Sequence, residues 1–533
     1  MSHRRPAAPR VRWWALATAL SVLAGCSADL DNGVSAGRST NASSASSTTA
    51  GPAVSLPTQS STAPDSGPAT TESTAPADGG GTPTSTSAPT NGSGFDDGIG
   101  DELYPALGNP GVDVQDYLLD VDYDRTVGVV RGRVTVAIEF TEARDEFTLD
   151  SLGPVVISVT IDGAPADFEL DEPELRITPA ESIDVGDVHR VMVEFSVDPD
   201  EASSLSGLPS GWFATAGGSY VLNEPDGART WFPSNDHPSD KATWTFRITV
   251  PAGVTAVANG RLVGMTPGGN GDTWEWREDE PMPTYLMQVL TGDYEIIESE
   301  TSGGLELVSA VLRDDVAQMQ PFIDGIEAQV AFFEPLFGPY PLDRYGIAVA
   351  DSFGGLAMET QGRSMFSRED LRIADGYVEE LLLAHELAHQ WFGNAVSPGA
   401  WEDIWLNESF ATYAQWMWLE EIGLTSIDVE AERALQNRQS GAGTATGSPL
   451  ADDLFGYNSY DGGAVVVHAL RLTLGDDAFF RLLRDWVDAY EGTSRTTAEF
   501  IVLAEDLSGR PLDDFFDQWL FADVPPATFP APA

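Results

Sequence analysis

The chain has 533 residues and a formal net charge of −55, from 83 acidic and 28 basic side chains. So large an acidic excess excludes nucleic acid as a general partner, because the phosphates would be repelled. The single cysteine excludes an intramolecular disulfide. Solubility explains the acidic excess more simply than any specific role, although a cationic substrate would be attracted.

The first residues have the layout of a secretory signal. Four arginines within residues 1–14 precede an apolar run from Trp13 to Ala24, which is too short to span a bilayer comfortably. The run ends in Leu23-Ala24-Gly25-Cys26, which resembles a bacterial lipobox. This resemblance implies a signal peptide at 1–25, a lipid on Cys26, and a protein anchored to the cell membrane and facing outside. An uncleaved signal anchor and a secreted protein without lipid are the alternatives.

Residues 26–100 form the next segment, dominated by Ser, Thr, Ala, Pro and Gly. Such a segment has too little apolar surface to bury, and we therefore expect a disordered tether. A coil of about 70 residues of this kind reaches roughly 45–50 Å, enough to hold a folded body away from a membrane.

Residues 101–298 change to short alternating runs of β-branched and aromatic residues, punctuated by Asp-Gly, Pro and Gly. Examples are 117–123, 132–140 and 243–250. This pattern predicts an all-β domain built from hairpins.

Residues 299–525 have a mainly helical pattern, preceded by some strand such as 345–350. Apolar positions recur at spacings of three and four over 378–392, with Gly393 as a plausible stop. The segments 477–490 and 497–507 also read as amphipathic helices. The sequence therefore predicts an α+β multidomain protein, with a β domain followed by a mainly helical domain.

The predicted helix at 378–392 contains His385-Glu386-Leu387-Ala388-His389. Four residues advance a helix by about 400°, so the two imidazoles lie roughly 40° apart on one face and can bind one ion together. Glu386 lies about 100° from His385 around the helix axis. Its side chain would therefore lie beside the ion without coordinating it, which suits a general base. The motif alone is also compatible with two surface histidines.

A third candidate ligand follows further along the chain. Eighteen residues separate His389 from Glu408, which lies in another apolar helical pattern. A catalytic zinc takes three protein ligands and keeps one position open for water, and two histidines with one glutamate supply that number. Glu386 would then take a proton from the attacking water, and metal-assisted hydrolysis is the natural reaction class.

Two segments carry a recognisable pattern: His385-Glu-Leu-Ala-His-Gln-Trp-Phe-Gly-Asn394 and Trp405-Leu-Asn-Glu408. Together they resemble the gluzincin zinc aminopeptidases typified by aminopeptidase N. The resemblance extends from about Val112 to Leu520. It implies a saddle-like N-terminal β domain, a thermolysin-like zinc peptidase domain, one Zn²⁺ per chain, and peptide substrates with a free N-terminal amine.

The resemblance also assigns residues outside the zinc motif. Ala357, Met358 and Glu359 match the family's Gly-Ala-Met-Glu-Asn motif, which lines the substrate and whose glutamate binds the substrate's α-amine. Glu224, in Glu-Pro-Asp-Gly-Ala-Arg, is the candidate for the second acidic group on that amine. Tyr460 matches the tyrosine of Tyr-x-Lys-Gly-Ala, which donates to the tetrahedral oxyanion.

Four positions depart from the family pattern, and they make the specificity harder to infer. They are Leu356 and Thr360 in the amine-binding motif, Gly462 in place of lysine after Tyr460, and Ser409 in place of the glycine after the third ligand. None of these changes removes a predicted ligand, the base or the tyrosine. The other histidines of the folded body, His189, His237 and His468, are expected to be structural because the metal positions are already filled.

The sequence is also compatible with two other function classes. Relatives of the family include epoxide hydrolases, and a zinc endopeptidase would use the same ligands. A lipid-anchored binding protein that keeps the fold without the chemistry is the third reading. The chain ends soon after Leu520, where larger relatives continue into capping domains, so we expect a more open site. Separately, we expect a monomer.

Overall fold

The computed structural model describes residues 98–199, 209–352, 357–372, 376–441 and 443–533. The predicted signal peptide, Cys26 and nearly all of the predicted tether lie outside these ranges. The described chain forms a β-rich part and then a mainly helical part with its own sheet, which confirms the predicted fold class. Among the described helices, none combines the length and apolarity needed to cross a bilayer.

The strands of the β-rich part follow the predicted alternation of buried and exposed side chains. In the first strand, for instance, Tyr117, Leu119, Val121 and Tyr123 are buried while Asp122 is exposed. The strands are β1 Val112–Asp124, β2 Val129–Phe140, β3 Phe147–Asp150, β4 Val155–Ile161, β5 Ala164–Pro165, β6 Asp167–Asp171, β7 Glu174–Thr178, β8 Val188–Val197, β9 Gly211–Ala214, β10 Ser219–Leu222, β11 Ala242–Val250, β12 Thr255–Ala258, β13 Arg261–Gly268, β14 Gly271–Met282 and β15 Val289–Gly292.

These strands form three sheets. The largest has the order β13-β14-β11-β1-β2-β8-β4-β5, and the others are β12-β15-β10-β9 and β3-β7-β6. The sheets are not made of hairpins alone, because β1 and β11 pair in parallel, with Leu118 opposite Thr245. That pairing joins segments far apart in the chain, which alternation within one strand cannot reveal.

The helical part has the following elements. Its helices are α1 Val316–Phe337, α2 Tyr377–Ala388, α3 Trp405–Glu421, α4 Ile427–Ser440, α5 Asp461–Leu474, α6 Asp476–Tyr490, α7 Thr497–Ser508 and α8 Asp513–Trp519. Its strands are β16 Tyr294–Glu300, β17 Glu306–Leu312, β18 Arg344–Tyr345, β19 Ile347–Ala350, β20 Ala357–Met358, β21 Ser364–Ser367, β22 Val396–Pro398 and β23 Thr493–Arg495.

The helical part contains more sheet than its sequence pattern predicts. Strands β16-β17-β19-β21-β20 form one sheet, with β18 beside β17 and with β20 at the edge. The chain changes sheets between β15 and β16, at Asp293, so the predicted domain boundary at 298/299 falls inside β16.

The predicted helix at 378–392 is shorter in the structure, where α2 ends at Ala388. The last turn tightens, since the amides of Gln390 and Trp391 donate to the carbonyls three residues back. Gly393, with a φ of 119°, then turns the chain away. His389 therefore lies at the end of the helix, and the predicted stop lies just beyond it.

Hydrogen bonds join the two parts close to α2. The ammonium of Lys241, just before β11, donates to the carbonyls of Asn394 (2.7 Å) and Ala395 (3.2 Å), and the hydroxyl of Tyr285 donates to that of Gly393 (2.9 Å). The guanidinium of Arg363 donates to carbonyls of both parts. The β-rich part is therefore held against the segment that follows α2.

Candidate active site

The motif histidines lie on one face of α2, as the spacing predicts. Their Nε2 atoms are 3.0 Å apart, and both rings are buried. Apolar neighbours on the same helix, such as Leu383, Leu387 and Ala388, pack into the core and fix the helix in place. The two imidazoles of His385 and His389 are therefore presented together at the helix surface.

The other nitrogen of each imidazole is already engaged. Nδ1 of His385 lies 3.0 Å from Oε1 of Gln415, and Nδ1 of His389 lies 3.1 Å from the carbonyl of Phe392. Because these oxygens accept hydrogen bonds, protons on the two Nδ1 atoms would satisfy them and would leave both Nε2 lone pairs free for an ion. Sequence reasoning missed Gln415, although it lies two helical turns after Glu408 on α3.

Glu408 is the third member of the cluster. Its Oε2 lies 3.2 Å from Nε2 of His385 and 3.4 Å from Nε2 of His389. The three side chains together offer one ligand atom each, all within 4.8 Å of one another. Helix α3 carries Glu408 in its first turn, where it packs against α2.

The charges of this cluster favour a bound cation. Burial alone would raise the pKa of Glu408, but His389 and hydrogen bonds from both imidazoles outweigh it and hold the pKa at about 2. Burial lowers the pKa of His389, yet the carboxylates of Glu359, Glu408 and Glu386 raise it to about 10. A divalent cation supplies the charge that a proton provides here, and two imidazoles with one carboxylate are a catalytic zinc donor set.

Glu386 lies next to this cluster without joining it. Its side chain is buried, and its Oε2 has no hydrogen-bond partner among the described residues. Burial raises its pKa well above the usual value; His389 opposes this, whereas Glu359 and Glu408 add to it. The structure therefore places a carboxylate of raised proton affinity beside the ligands, as the helix geometry predicts.

Two more carboxylates, Glu359 and Glu224, face the same space. Oε1 of each is buried and lacks a hydrogen-bond partner in the described chain, and both residues reach within 4.8 Å of an oxygen of Glu408. Burial raises the pKa of both groups, and in Glu224 the neighbouring Glu359 raises it further. Glu359 follows β20 in the helical part, while Glu224 follows β10, so the site draws on both parts.

The backbone around Glu359 is fixed by the segment that follows α2. Its carbonyl accepts hydrogen bonds from the side-chain amides of Gln390 (3.2 Å) and Asn394 (2.6 Å). Ala357 and Met358 form the edge strand β20, which pairs with β21. Leu356, the first departure from the family motif, lies outside the described residues.

Tyr460 faces the cluster from the start of α5. Its hydroxyl donates to Oε1 of Glu408 at 3.2 Å, and its ring stacks at 6.0 Å on that of His385. Burial, together with the carboxylates of Glu408 and Glu224, raises its pKa well above the usual value. The phenol therefore keeps its proton at neutral pH and remains a hydrogen-bond donor.

The other histidines are engaged elsewhere. His237 contacts Asp101, His189 contacts Asp162, and His468 contacts Tyr413. Within the described ranges, every group of donor atoms close enough to share an ion lies in the site around α2. The expected structural role of these three histidines remains a prediction, with these contacts in its favour.

Family models match both parts of the chain. Residues 114–286 match the Peptidase M1 N-terminal domain, and residues 324–519 match the Peptidase family M1 domain. The chain is 25% identical over 440 residues to Probable aminopeptidase 2 of Sulfurisphaera tokodaii, a match covering 78% of this chain and 54% of that protein. It is 27% identical over 312 residues to Aminopeptidase M1-D of Oryza sativa subsp. japonica, covering 55% and 36%. The chain thus spans about half or less of these curated relatives.

Solved structures match over a larger share of their length. An M1 zinc metallopeptidase from Deinococcus radiodurans superimposes with a TM-score of 0.75 and 30% identity, over 82% of this chain and 100% of that one. A mutant M1 zinc metallopeptidase from the same organism, bound to a Tyr-Ser-Ala substrate, has a TM-score of 0.75 and 29% identity, over 82% and 99%. With both family models matched and a 30% identical relative covered in full, this chain belongs to peptidase family M1.

Proposed function

We propose that this protein is a zinc-dependent aminopeptidase that removes the N-terminal residue from peptides. The observation that carries the proposal is the pair of buried carboxylate oxygens of Glu224 and Glu359, which accept no hydrogen bond from the described residues and lie beside Glu408. Two like charges at this spacing in a buried site are costly, and an ammonium ion between them relieves that cost. A free α-amine brings such an ammonium, whereas an internal peptide bond does not.

This arrangement favours cleavage at the first peptide bond. The amine-binding carboxylates and the metal ligands converge on one small space, so an amine held by Glu224 and Glu359 places the adjacent carbonyl near the ligands. The names of the relatives support the same activity, since the curated matches are called aminopeptidases. An internal peptide bond or an epoxide brings no ammonium ion to the carboxylate pair.

The proposed roles of the chain's own residues follow from their positions. When bound, zinc supplies Lewis acidity, which polarises a carbonyl and lowers the pKa of water to about 7. The carboxylate of Glu386 then takes a proton from the attacking water and passes it to the leaving amine. The hydroxyl of Tyr460 donates a hydrogen bond to the oxygen on which negative charge develops.

We also propose that the enzyme works outside the cell, as a monomer held on the membrane by a lipid on Cys26. The support is in the sequence alone: the lipobox-like ending at 23–26 and the tether composition of 26–100. Incorporation of a clickable palmitate analogue by the wild-type chain, lost in Cys26→Ser, checks the anchor. Equal labelling of both proteins would refute it.

The dependence on the amine can be measured with leucine p-nitroanilide and its N-acetyl derivative. The wild-type enzyme should cleave only the free amine. Glu359→Gln removes one of the charges that hold the ammonium and should lower kcat/KM for the free amine by about 10- to 100-fold, because hydrogen bonds to charged groups contribute about 1.5–3 kcal/mol.

The matched control is Glu278→Gln, which changes a buried glutamate of the β-rich part whose Oε1 accepts from the amide of Glu280. We expect this variant to retain wild-type kcat/KM. Efficient cleavage of the acetylated substrate by the wild type would show that the carboxylate pair does not recognise an amine.

A further inference from the structure

The segment that carries Tyr460 is fixed from outside by two side chains. The hydroxyl of Ser409 donates to the carbonyl of Ser459 at 2.8 Å, and the guanidinium of Arg438 donates to the carbonyl of Gly462, also at 2.8 Å. Both donors are buried. The carbonyls on either side of Tyr460 are therefore both held by side chains from other helices.

Of the two donors, Ser409 makes the shorter connection to the metal site. It directly follows Glu408 on α3, and its acceptor directly precedes Tyr460. One hydrogen bond therefore joins the residue after the proposed ligand Glu408 to the residue before the proposed oxyanion donor. The family pattern has glycine at position 409, and glycine has no hydroxyl with which to make this hydrogen bond.

The space for this hydroxyl depends on a second residue. A Cβ atom on Gly463, in the first turn of α5, would lie 1.8 Å from Oγ of Ser409 and 2.8 Å from its Cβ. Position 463 must therefore lack a side chain for the serine to reach its acceptor. The amides of Gly463 and Ala464 both donate to the carbonyl of Tyr460, at 3.0 and 2.8 Å. Ser409 thus packs directly on the turn that orients the tyrosine.

We propose that Ser409 is a positioning residue that sets the hydroxyl of Tyr460 relative to Glu408. The proposal rests on the proposed function of Tyr460 as oxyanion donor. A donor must lie about 2.7–3.1 Å from the developing negative charge, so a small displacement of the tyrosine weakens that hydrogen bond in the transition state. Substrate binding does not involve Ser409 and should change little.

The first test compares the kinetics of Ser409→Ala, Tyr460→Phe and the double variant on a free-amine substrate. Ser409→Ala should lower kcat by about 3- to 10-fold, the effect of one lost neutral hydrogen bond, with KM nearly unchanged. In the Tyr460→Phe background the same change should have no further effect on kcat, because there is no hydroxyl left to position.

The second test needs neither metal nor substrate. In the metal-free protein, amide hydrogen exchange at Gly463 and Ala464 should be faster in Ser409→Ala than in the wild type, whereas exchange in α6 should be unchanged. The control Ser494→Ala removes another serine hydroxyl that donates to a carbonyl, that of Pro238 at 2.7 Å. It should leave both kcat and the exchange at these two amides unchanged.

Each outcome has a separate meaning. If Tyr460→Phe leaves kcat unchanged, the proposed role of the tyrosine fails. If Tyr460→Phe lowers kcat but Ser409→Ala changes neither kcat nor exchange, the positioning role fails alone. A loss from Ser409→Ala that is equally large in both backgrounds would also overturn it, because the serine would then act by another route.

Discussion

Replacing Glu386 by Gln is expected to lower kcat by about 10²- to 10⁴-fold, the contribution of a general base. The amide has nearly the same shape but cannot take a proton. Burial already raises the proton affinity of this carboxylate, and no hydrogen bond from the described residues occupies its Oε2. Among the substitutions considered, we expect this one to have the largest effect on turnover.

The measurement pairs steady-state kinetics with zinc content per chain. Zinc content should remain at the wild-type value, because the proposed ligands are His385, His389 and Glu408. The control Glu379→Gln changes another buried glutamate of α2, whose Oε2 accepts from the amide of Gly376, and an amide oxygen can accept that bond as well. Wild-type turnover by Glu386→Gln with zinc still bound would contradict the assignment.

Tyr460→Phe is expected to lower kcat by about 10²- to 10³-fold, as the loss of one oxyanion donor does. KM should change by less than about threefold, because the interaction forms mainly in the transition state. The raised pKa of the phenol keeps it protonated, so the loss should be similar across neutral and mildly alkaline pH.

The control for this prediction is Tyr340→Phe, which removes a tyrosine hydroxyl that donates to the carbonyl of Arg344 at 3.0 Å. It should keep wild-type kcat. Equal losses in both variants would mean that the effect comes from general destabilisation. A tenfold rise in KM with unchanged kcat would assign Tyr460 to substrate binding instead.

The metal cluster could be predicted from sequence because its geometry is local. Helical periodicity alone places His385 and His389 on one face and Glu386 beside them, and the structure has this arrangement. The position of Glu408 relative to them is not local, and the sequence indicates it only through the ligand number that zinc requires and the resemblance to a family. The zinc site and the order of the two domains can therefore be predicted from the sequence.

Contacts between distant segments could not be predicted in the same way. Gln415 contacts Nδ1 of His385 from a second helix, and the parallel pairing of β1 with β11 joins strands far apart in the chain. Neither leaves a periodic pattern in the sequence. In the sequence, Ser409 is only a departure from the glycine of the family pattern. Its proposed role depends on its hydrogen bond to the carbonyl of Ser459, which the structure shows.

Zinc-dependent removal of an N-terminal residue is tested by comparing free and acetylated leucine p-nitroanilide across a zinc titration of the chelator-treated enzyme. We expect no cleavage before zinc is added, and a rate on the free amine that rises to a plateau at one zinc per chain. The acetylated substrate should remain uncleaved throughout. Cleavage of the free amine by the metal-free enzyme, or equal cleavage of both substrates, would contradict the proposed activity.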